Sequence, residues 1–163
     1  MIASVEGNPA LNETVRLRLW TLANVPLLFY LRPSVVQATD RRCVVRIPLS
    51  RRSRNHLGSM YFGALCAGAD LAGGLTAKRH IDASGRKVSL IFKDLQARFH
   101  KRAEGDVLFT CEDAEAIGEL VSRTIASGER EELPVRIVAT VPDKLGEEPV
   151  AEFTLTLSLK RRD

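Results

Sequence analysis

One carboxylate, Asp70, lies in a run of small and apolar residues and is the only acid between Asn55 and Arg79. Small residues occur three or four positions away from it, so they would share its face of a helix and leave a hollow beside the carboxylate: Cys66, Ala67, Gly73 and Gly74. A partly desolvated carboxylate has a raised pKa and is suited to act as a general base or nucleophile. The alternative is an acid that pairs with a core partner across a dimer.

A polar loop precedes this run, and it contains a second group of candidates. The amide of Asn55 could polarise a carbonyl or position a water, although a loop-forming Asn bonded to local backbone is the alternative. Ser59 is predicted to be the N-cap of the following helix, and His56 is predicted to be a loop histidine. A helix that begins near Met60 or Tyr61 would present unpaired backbone N–H groups to a developing oxyanion.

Other catalytic patterns are missing from the sequence. No Ser-His-Asp order or nucleophile elbow is present, and Cys66 has no neighbour in sequence that would activate its thiol. The histidines and nearby acids do not have metal-ligand spacing, so no metal site is predicted. The carboxylate and the helix N-terminus therefore remain the main candidates for chemistry.

The helix that must position Asp70 is predicted to be buried nearly all round. Leu65, Leu71 and Leu75, with the alanines between them, leave no broad polar face before Lys78. Four glycines within it cost helix propensity and indicate close approach to its backbone: Gly63, Gly68, Gly73 and Gly74. We therefore expect this helix to be the centre of the domain.

The rest of the chain predicts strands that can surround one helix. Residues 1–10 are expected to form a loose leader, and a helix runs from Asn12 toward Ala23 until Pro26 interrupts it. Apolar and β-branched patterns predict strands at 34–39, 43–49, 87–100, 107–113, 133–141 and 150–160, and a short helix at 114–127. Since strands and helices do not alternate regularly, we expect an α+β protein with an antiparallel sheet rather than a doubly wound one.

Composition limits the domain count, partners and compartment. The 163 residues suit a single domain, 1–163, in which 1–33 form an N-terminal helical extension. The net charge of +4 comes from dispersed basic residues, which does not favour nucleic-acid binding. The odd number of scattered cysteines indicates a reducing, cytoplasmic location.

The most apolar segment, residues 19–31, is too short to span a membrane and is interrupted by Pro26. It is predicted to cover a core edge or a partner subunit, and peripheral contact with a membrane surface is the alternative. No signal peptide is predicted.

The loop and central helix resemble those of the hotdog-fold acyl-CoA thioesterases, in particular the phenylacetate-pathway type and the related DUF4442 proteins. The family pattern is an Asn, a Gly three residues on, a His-Gly-Gly start to the helix, and an acid nine positions beyond that His. Asn55, Gly58, Gly63 and Asp70 occupy the matching positions. Two positions depart from the pattern, since Tyr61 replaces the His and Phe62 replaces the first Gly.

The resemblance implies a hotdog fold, with an antiparallel sheet wrapped around one long helix, and acyl-CoA thioesterase activity. Asp70 would be the base or nucleophile, the Phe62 backbone N–H the oxyanion donor, and Gly63 the point of close acyl approach. Tyr61 would keep a hydrogen-bonding role or cap the pocket. The alternative, suggested by the two larger side chains, is a non-catalytic dimer that binds acyl chains or a protein partner.

The resemblance also implies partners. Two protomers would pair their sheets into a homodimer, with a dimer of dimers as a further possibility, and the thioester would lie between the two central helices. Coenzyme A would enter as part of the substrate and not as a cofactor. Its phosphates could meet a basic run, for which a solvated edge is the alternative: Lys93, Arg98, Lys101 and Arg102.

Overall fold

A computed structural model describes residues 9–163. Of the predicted leader, residues 1–8 lie outside the described residues, whereas Pro9 and Ala10 already belong to the first helix. That helix begins earlier than the prediction at Asn12 because Pro9 is well tolerated in a first helical turn, where its missing N–H needs no partner.

Eleven helices and strands follow one another in this part of the chain. The helices are α1 (Pro9–Asn24), α2 (Pro26–Tyr30), α3 (Phe62–Ser84), α4 (Ala114–Ser127) and α5 (Pro142–Leu145). The strands are β1 (Ser34–Ala38), β2 (Cys43–Ile47), β3 (Val88–Phe99), β4 (Val107–Cys111), β5 (Arg130–Thr140) and β6 (Pro149–Arg161). Every predicted strand is present, although β5 begins three residues before the predicted position 133.

The strands form one antiparallel six-stranded sheet in the order β1-β2-β4-β5-β6-β3. Alternate residues of its central strands point toward α3 and are fully buried, among them Phe109, Ile137, Phe153 and Leu157. This alternation buries one face of the sheet against the helix. The predicted antiparallel sheet around one long helix is therefore confirmed.

Helix α3 differs from its prediction in length and in burial. It continues to Ser84 and ends at Gly85, whose φ of +67° is the left-handed conformation that glycine adopts without strain. Gly68 lies against the Phe109 ring so closely that a Cβ there would overlap it. The prediction of burial nearly all round holds in part: no residue from Gly63 to Lys78 is exposed, but one stripe of α3 is only half-buried, and it consists of Gly63, Cys66, Ala67, Asp70, Gly74 and Lys78.

Strand β3 is the outer strand of the sheet next to β6, and a β-bulge interrupts it. Register with β6 shifts between Phe92 and Asp94, so that Phe92 lies opposite Leu157 and Leu95 lies opposite Leu155. The extra residue, Lys93, explains why the apolar alternation in the sequence ends after Phe92. The bulge keeps apolar side chains on the helix-facing side along the whole strand.

Helix α1 is attached to β1 and not primarily to α3. The Val35 N–H donates a hydrogen bond to Thr14 Oγ1 at 2.9 Å, and Arg18 Nε donates to the Pro33 carbonyl at 2.8 Å. These bonds hold α1 and α2 beside the central helix and leave space between them.

Segment 19–31 has one buried and one exposed side. Leu28 and Leu31 are buried, whereas the apolar side chains on the other side are exposed: Leu19, Leu22, Leu27 and Tyr30. No helix between residues 9 and 163 has the length and hydropathy needed to cross a bilayer. The prediction that this segment covers a core edge fits its buried side, and contact with a membrane surface stays a prediction.

Candidate functional site

Asp70 forms part of the wall of a cavity of about 400 Å³ enclosed by α1, α2, α3 and β3. Its carboxyl group is half-buried, and this loss of hydration raises its pKa to about 6. Across residues 9–163 no donor bonds to its oxygens, and the alternative of an acid paired with a partner across a dimer stays a prediction. The carboxylate therefore changes protonation state near neutral pH.

The hollow predicted beside Asp70 is present, and Gly74 contributes to it, whereas Gly73, also predicted to do so, is buried and packs toward the sheet. A Cβ on Gly74 would lie 3.4 Å from Asp70 Oδ1 and 3.7 Å from the Phe92 ring. Cys66 and Ala67 are half-buried on the same stripe of the helix. A side chain larger than hydrogen at Gly74 would thus narrow the space that a reacting group needs next to the carboxylate.

The N-terminus of α3 offers two free hydrogen-bond donors. Tyr61 is the N-cap residue, and its side chain does not cap the helix. Its own N–H donates to the Ser53 carbonyl at 2.7 Å, while its carbonyl accepts from the N–H groups of Ala64 and Leu65. Within the described chain, the N–H groups of Phe62 and Gly63 have no acceptor. They can hold an oxyanion, as the Phe62 N–H was predicted to do.

Ser59 is not the N-cap, which corrects the prediction. Its side chain instead receives a hydrogen bond from Asn55 Nδ2 at 3.1 Å. The loop returns to α3 through Gly58, whose φ is +82°, and the cap position falls at Tyr61, two residues after Ser59.

The aromatic side chains at the start of α3 lie on the surface. The Tyr61 ring covers Gly63 so closely that a Cβ on Gly63 would overlap it. The Phe62 ring is 59% exposed and contacts Tyr61 and Phe99 edge-on, with centroid distances of 4.9 Å and 6.3 Å. Close approach of a ligand to Gly63 consequently requires the half-exposed Tyr61 ring to turn away.

Asn55 organises its own loop. Its Oδ1 accepts hydrogen bonds from the N–H groups of Leu57 and Ser59 at 2.9 Å and 3.2 Å. This is the local arrangement that the sequence left open as the alternative to a catalytic amide. One N–H of Nδ2 remains available for a ligand, because Nδ2 donates only to Ser59 in this part of the protein.

The four basic residues predicted to meet phosphates do not lie together. Lys93 pairs with Glu132 at 2.7 Å, and Arg98 lies on the outer face of the sheet opposite Glu152. Lys101 and Arg102 line a cavity of about 340 Å³ that Asn55, Tyr61 and Phe62 also line, and Lys101 also pairs with Glu148, which lies outside that lining. Of the four basic residues, only Lys101 and Arg102 lie where they could contact an anion near the N-terminus of α3.

Phe62 and Asp70 lie on different cavities of one protomer. Eight residues separate them, which corresponds to about 12 Å along a helix at 1.5 Å per residue. A reacting carbonyl must lie within about 3 Å of its donors and within reach of the base, directly or through one water. The two groups of one α3 therefore cannot act on the same carbonyl.

Four residues of the N-terminal segment, among them Leu17 of α1, line the Asp70 cavity without having been predicted as site residues. Trp20, Val25 and Leu28 face Asp70 and Phe92 across this space. The only signal in the sequence was the apolar character of residues 19–31, which predicts that they cover an apolar surface but does not identify that surface.

No group of three or more His, Cys, Asp or Glu residues between 9 and 163 is arranged to hold a metal ion.

Comparisons with known proteins agree on the family and the fold. A family model described as "Domain of unknown function (DUF4442)" matches residues 16–159. A Pseudomonas aeruginosa protein of unknown function, described as a probable thioesterase, is 26% identical with a TM-score of 0.72 and coverage of 91% of this chain and 96% of its own. A comparison of the sequence with curated proteins finds no match.

More distant structures share the fold. A Haemophilus influenzae thioesterase is 14% identical, with a TM-score of 0.64 and coverage of 88% of both chains. A Chlorobaculum tepidum protein of unknown function is 10% identical, with a TM-score of 0.80 and coverage of 94% of this chain and 97% of its own. The predicted hotdog fold is confirmed.

Proposed function

Because the chain belongs to the DUF4442 family and has the hotdog fold, we propose that it is a thioesterase that hydrolyses acyl-CoA. The similarity to structures named as thioesterases supports this reaction. The observation that carries the proposal is Asp70, an unpaired, half-buried carboxylate with a pKa near 6 on the wall of an apolar cavity. A base is most effective when its pKa lies near the working pH.

In the proposed reaction Asp70 is the general base. Its carboxylate takes a proton from a water as the water oxygen attacks the thioester carbonyl carbon. The N–H groups of Phe62 and Gly63 bind the oxyanion that forms on the carbonyl oxygen. The C–S bond then breaks, the coenzyme A sulfur receives the proton that Asp70 took from the water, and a carboxylic acid and the ionised Asp70 remain.

The base and the donors are proposed to come from two protomers of a homodimer. Strand β3 pairs only with β6 within the described chain, so its other edge is free to pair with β3 of a second copy. Exposed apolar side chains lie beside this edge: Phe62, Leu95 and Phe99. Two-fold symmetry would set the α3 helices antiparallel and bring Asp70 of one near Phe62 of the other. Lys101 and Arg102, near Phe62, would then meet the coenzyme A phosphates.

Thiol release as a function of pH tests this proposal. We expect kcat/KM to rise through a pKa of about 6 to a plateau above about pH 7, because only ionised Asp70 accepts a proton. The assay uses a dithiodipyridine reagent with acetyl-, phenylacetyl- and dodecanoyl-CoA. Glu119→Gln, on the exposed side of α4, is the matched control and should leave the profile unchanged. No thiol release from any of these substrates, or a flat profile through this pH range, would contradict the proposal.

The alternative function, a non-catalytic dimer that binds acyl chains, is favoured by one observation. The Tyr61 ring occupies the space beside Gly63 that an acyl group would approach. If Tyr61 stays there, Tyr61→Ala should bind acyl-CoA more tightly, yet neither it nor the wild type would release thiol. Saturable binding by both proteins without hydrolysis would establish this alternative.

A further inference from the structure

The cavity beside Asp70 is long and narrow. Its α3 wall extends from Asp70 to Asp82, which is about 18 Å at 1.5 Å per residue. Its β3 wall extends from Phe92 to Val88, about 13 Å at roughly 3.3 Å per residue. A volume of about 400 Å³ spread over such a length leaves a channel only a few ångströms wide.

The third wall comes from the N-terminal helices. Their hydrogen bonds run from Thr14 and Arg18 to β1 and its preceding turn, and the channel is lined on this side by Leu17 and Trp20 of α1. Trp20 closes part of its side, where Lys78 Nζ lies 5.3 Å from the ring centroid and also pairs with Asp82 at 2.8 Å. The inner lining is mostly aliphatic, as at Leu28 and Leu90.

We infer that this channel binds a linear aliphatic acyl chain whose thioester lies at Asp70, and that α1 and α2 set the chain length. This inference rests on the proposed function and adds the substrate class. With C–C bonds of about 1.5 Å that advance about 1.3 Å each, the channel holds roughly ten to twelve carbons. A phenylacetyl group would fill only the part next to Asp70.

Fluorescence of Trp20 tests occupancy directly, because Trp20 is the only tryptophan in the sequence and lies in the channel wall. Asp70→Asn protein is titrated with acyl-CoAs of increasing length, with coenzyme A and phenylacetyl-CoA for comparison. We expect a saturable change in Trp20 emission with dodecanoyl-CoA. Affinity should rise about fourfold per added methylene until the channel is full. Equal responses to dodecanoyl-CoA and coenzyme A would overturn the inference.

A pair of neighbouring substitutions tests the channel by kinetics. Leu90 faces the channel, whereas Ile91 is 52% exposed on the opposite face of β3. Leu90→Trp should lower the ratio of kcat/KM for dodecanoyl-CoA to kcat/KM for acetyl-CoA at least tenfold, while Ile91→Trp, away from the channel, should leave this ratio unchanged. Val25→Trp fills the channel from the other side and replaces Leu90→Trp if that protein does not fold.

The inference and the proposed function fail in different ways. Length-dependent binding without thiol release would keep the channel and remove the thioesterase. Thiol release with no dependence on chain length, together with an unresponsive Trp20, would keep the thioesterase and remove the channel.

Discussion

Replacing Asp70 with Asn is expected to lower kcat/KM for acyl-CoA by about two to four orders of magnitude, the usual contribution of a positioned base. Asn has nearly the same shape but cannot accept the proton of the attacking water. The rise of kcat/KM through a pKa of about 6 should be absent in Asp70→Asn. The measurement is thiol release under subsaturating substrate, with Glu119→Gln as the control.

The same substitution should stabilise the protein at neutral pH. Burial raises the pKa of Asp70 from 3.8 to about 6, so the folded state binds more protons than the unfolded state between these values. Ionised Asp70 therefore costs stability above about pH 6, on the order of 3 kcal/mol, and this cost is absent below about pH 4. Urea unfolding at both pH values should show Asp70→Asn gaining stability only at the higher one. Loss of stability along with activity would assign Asp70 a structural role instead.

Phe62→Pro is expected to lower kcat/KM by about two to three orders of magnitude, the effect of losing one oxyanion donor. Proline removes the Phe62 N–H yet suits this first helical position, where no intrahelical bond uses that N–H. Tyr61 already has φ −62° and ψ 136°, the conformation required before proline. The measurement is thiol release together with the thermal unfolding midpoint, which should change little.

Phe62→Leu is the matched control for the proline variant. It also removes the exposed aromatic ring but keeps the N–H, so activity should stay within a few-fold of the wild type. If both variants lose the same activity, the ring and not the backbone donor is what matters at this position.

The sequence was sufficient to predict the sheet and the central helix, and it singled out Asp70 as the candidate base, which stays a prediction. The alternation along strands such as β6 and the isolation of one acid among small residues are local signals, and burial acts on them directly. A hollow beside Asp70 was predicted, but the extent of the half-buried stripe of α3 was not, because small residues look alike whether they pack against a sheet or line a cavity. Whether a small residue of α3 packs against the sheet or lines a cavity depends on which other elements of the fold lie against its face of the helix.

Contacts between distant segments account for what could not be predicted. Trp20 and Leu28 face Asp70 only because α1 is attached to β1, through bonds between Thr14 and Val35 that no local pattern indicates. The dispersal of Lys93 and Arg98 away from Lys101 likewise follows from strand pairing and from the bulge in β3. These basic residues are close in the sequence but lie apart in the fold, so they do not form a single anion site.

The central claim is a thioesterase site formed by Phe62 of one protomer and Asp70 of the other, and a mixed dimer tests it most directly. Asp70→Asn and Phe62→Pro chains are co-expressed with different affinity tags, and the heterodimer is isolated and assayed for thiol release. One of its two symmetric sites is intact, so we predict about half of the wild-type activity per dimer, although each parent is nearly inactive. A heterodimer as inactive as its parents, beside an active wild type, would contradict the shared site.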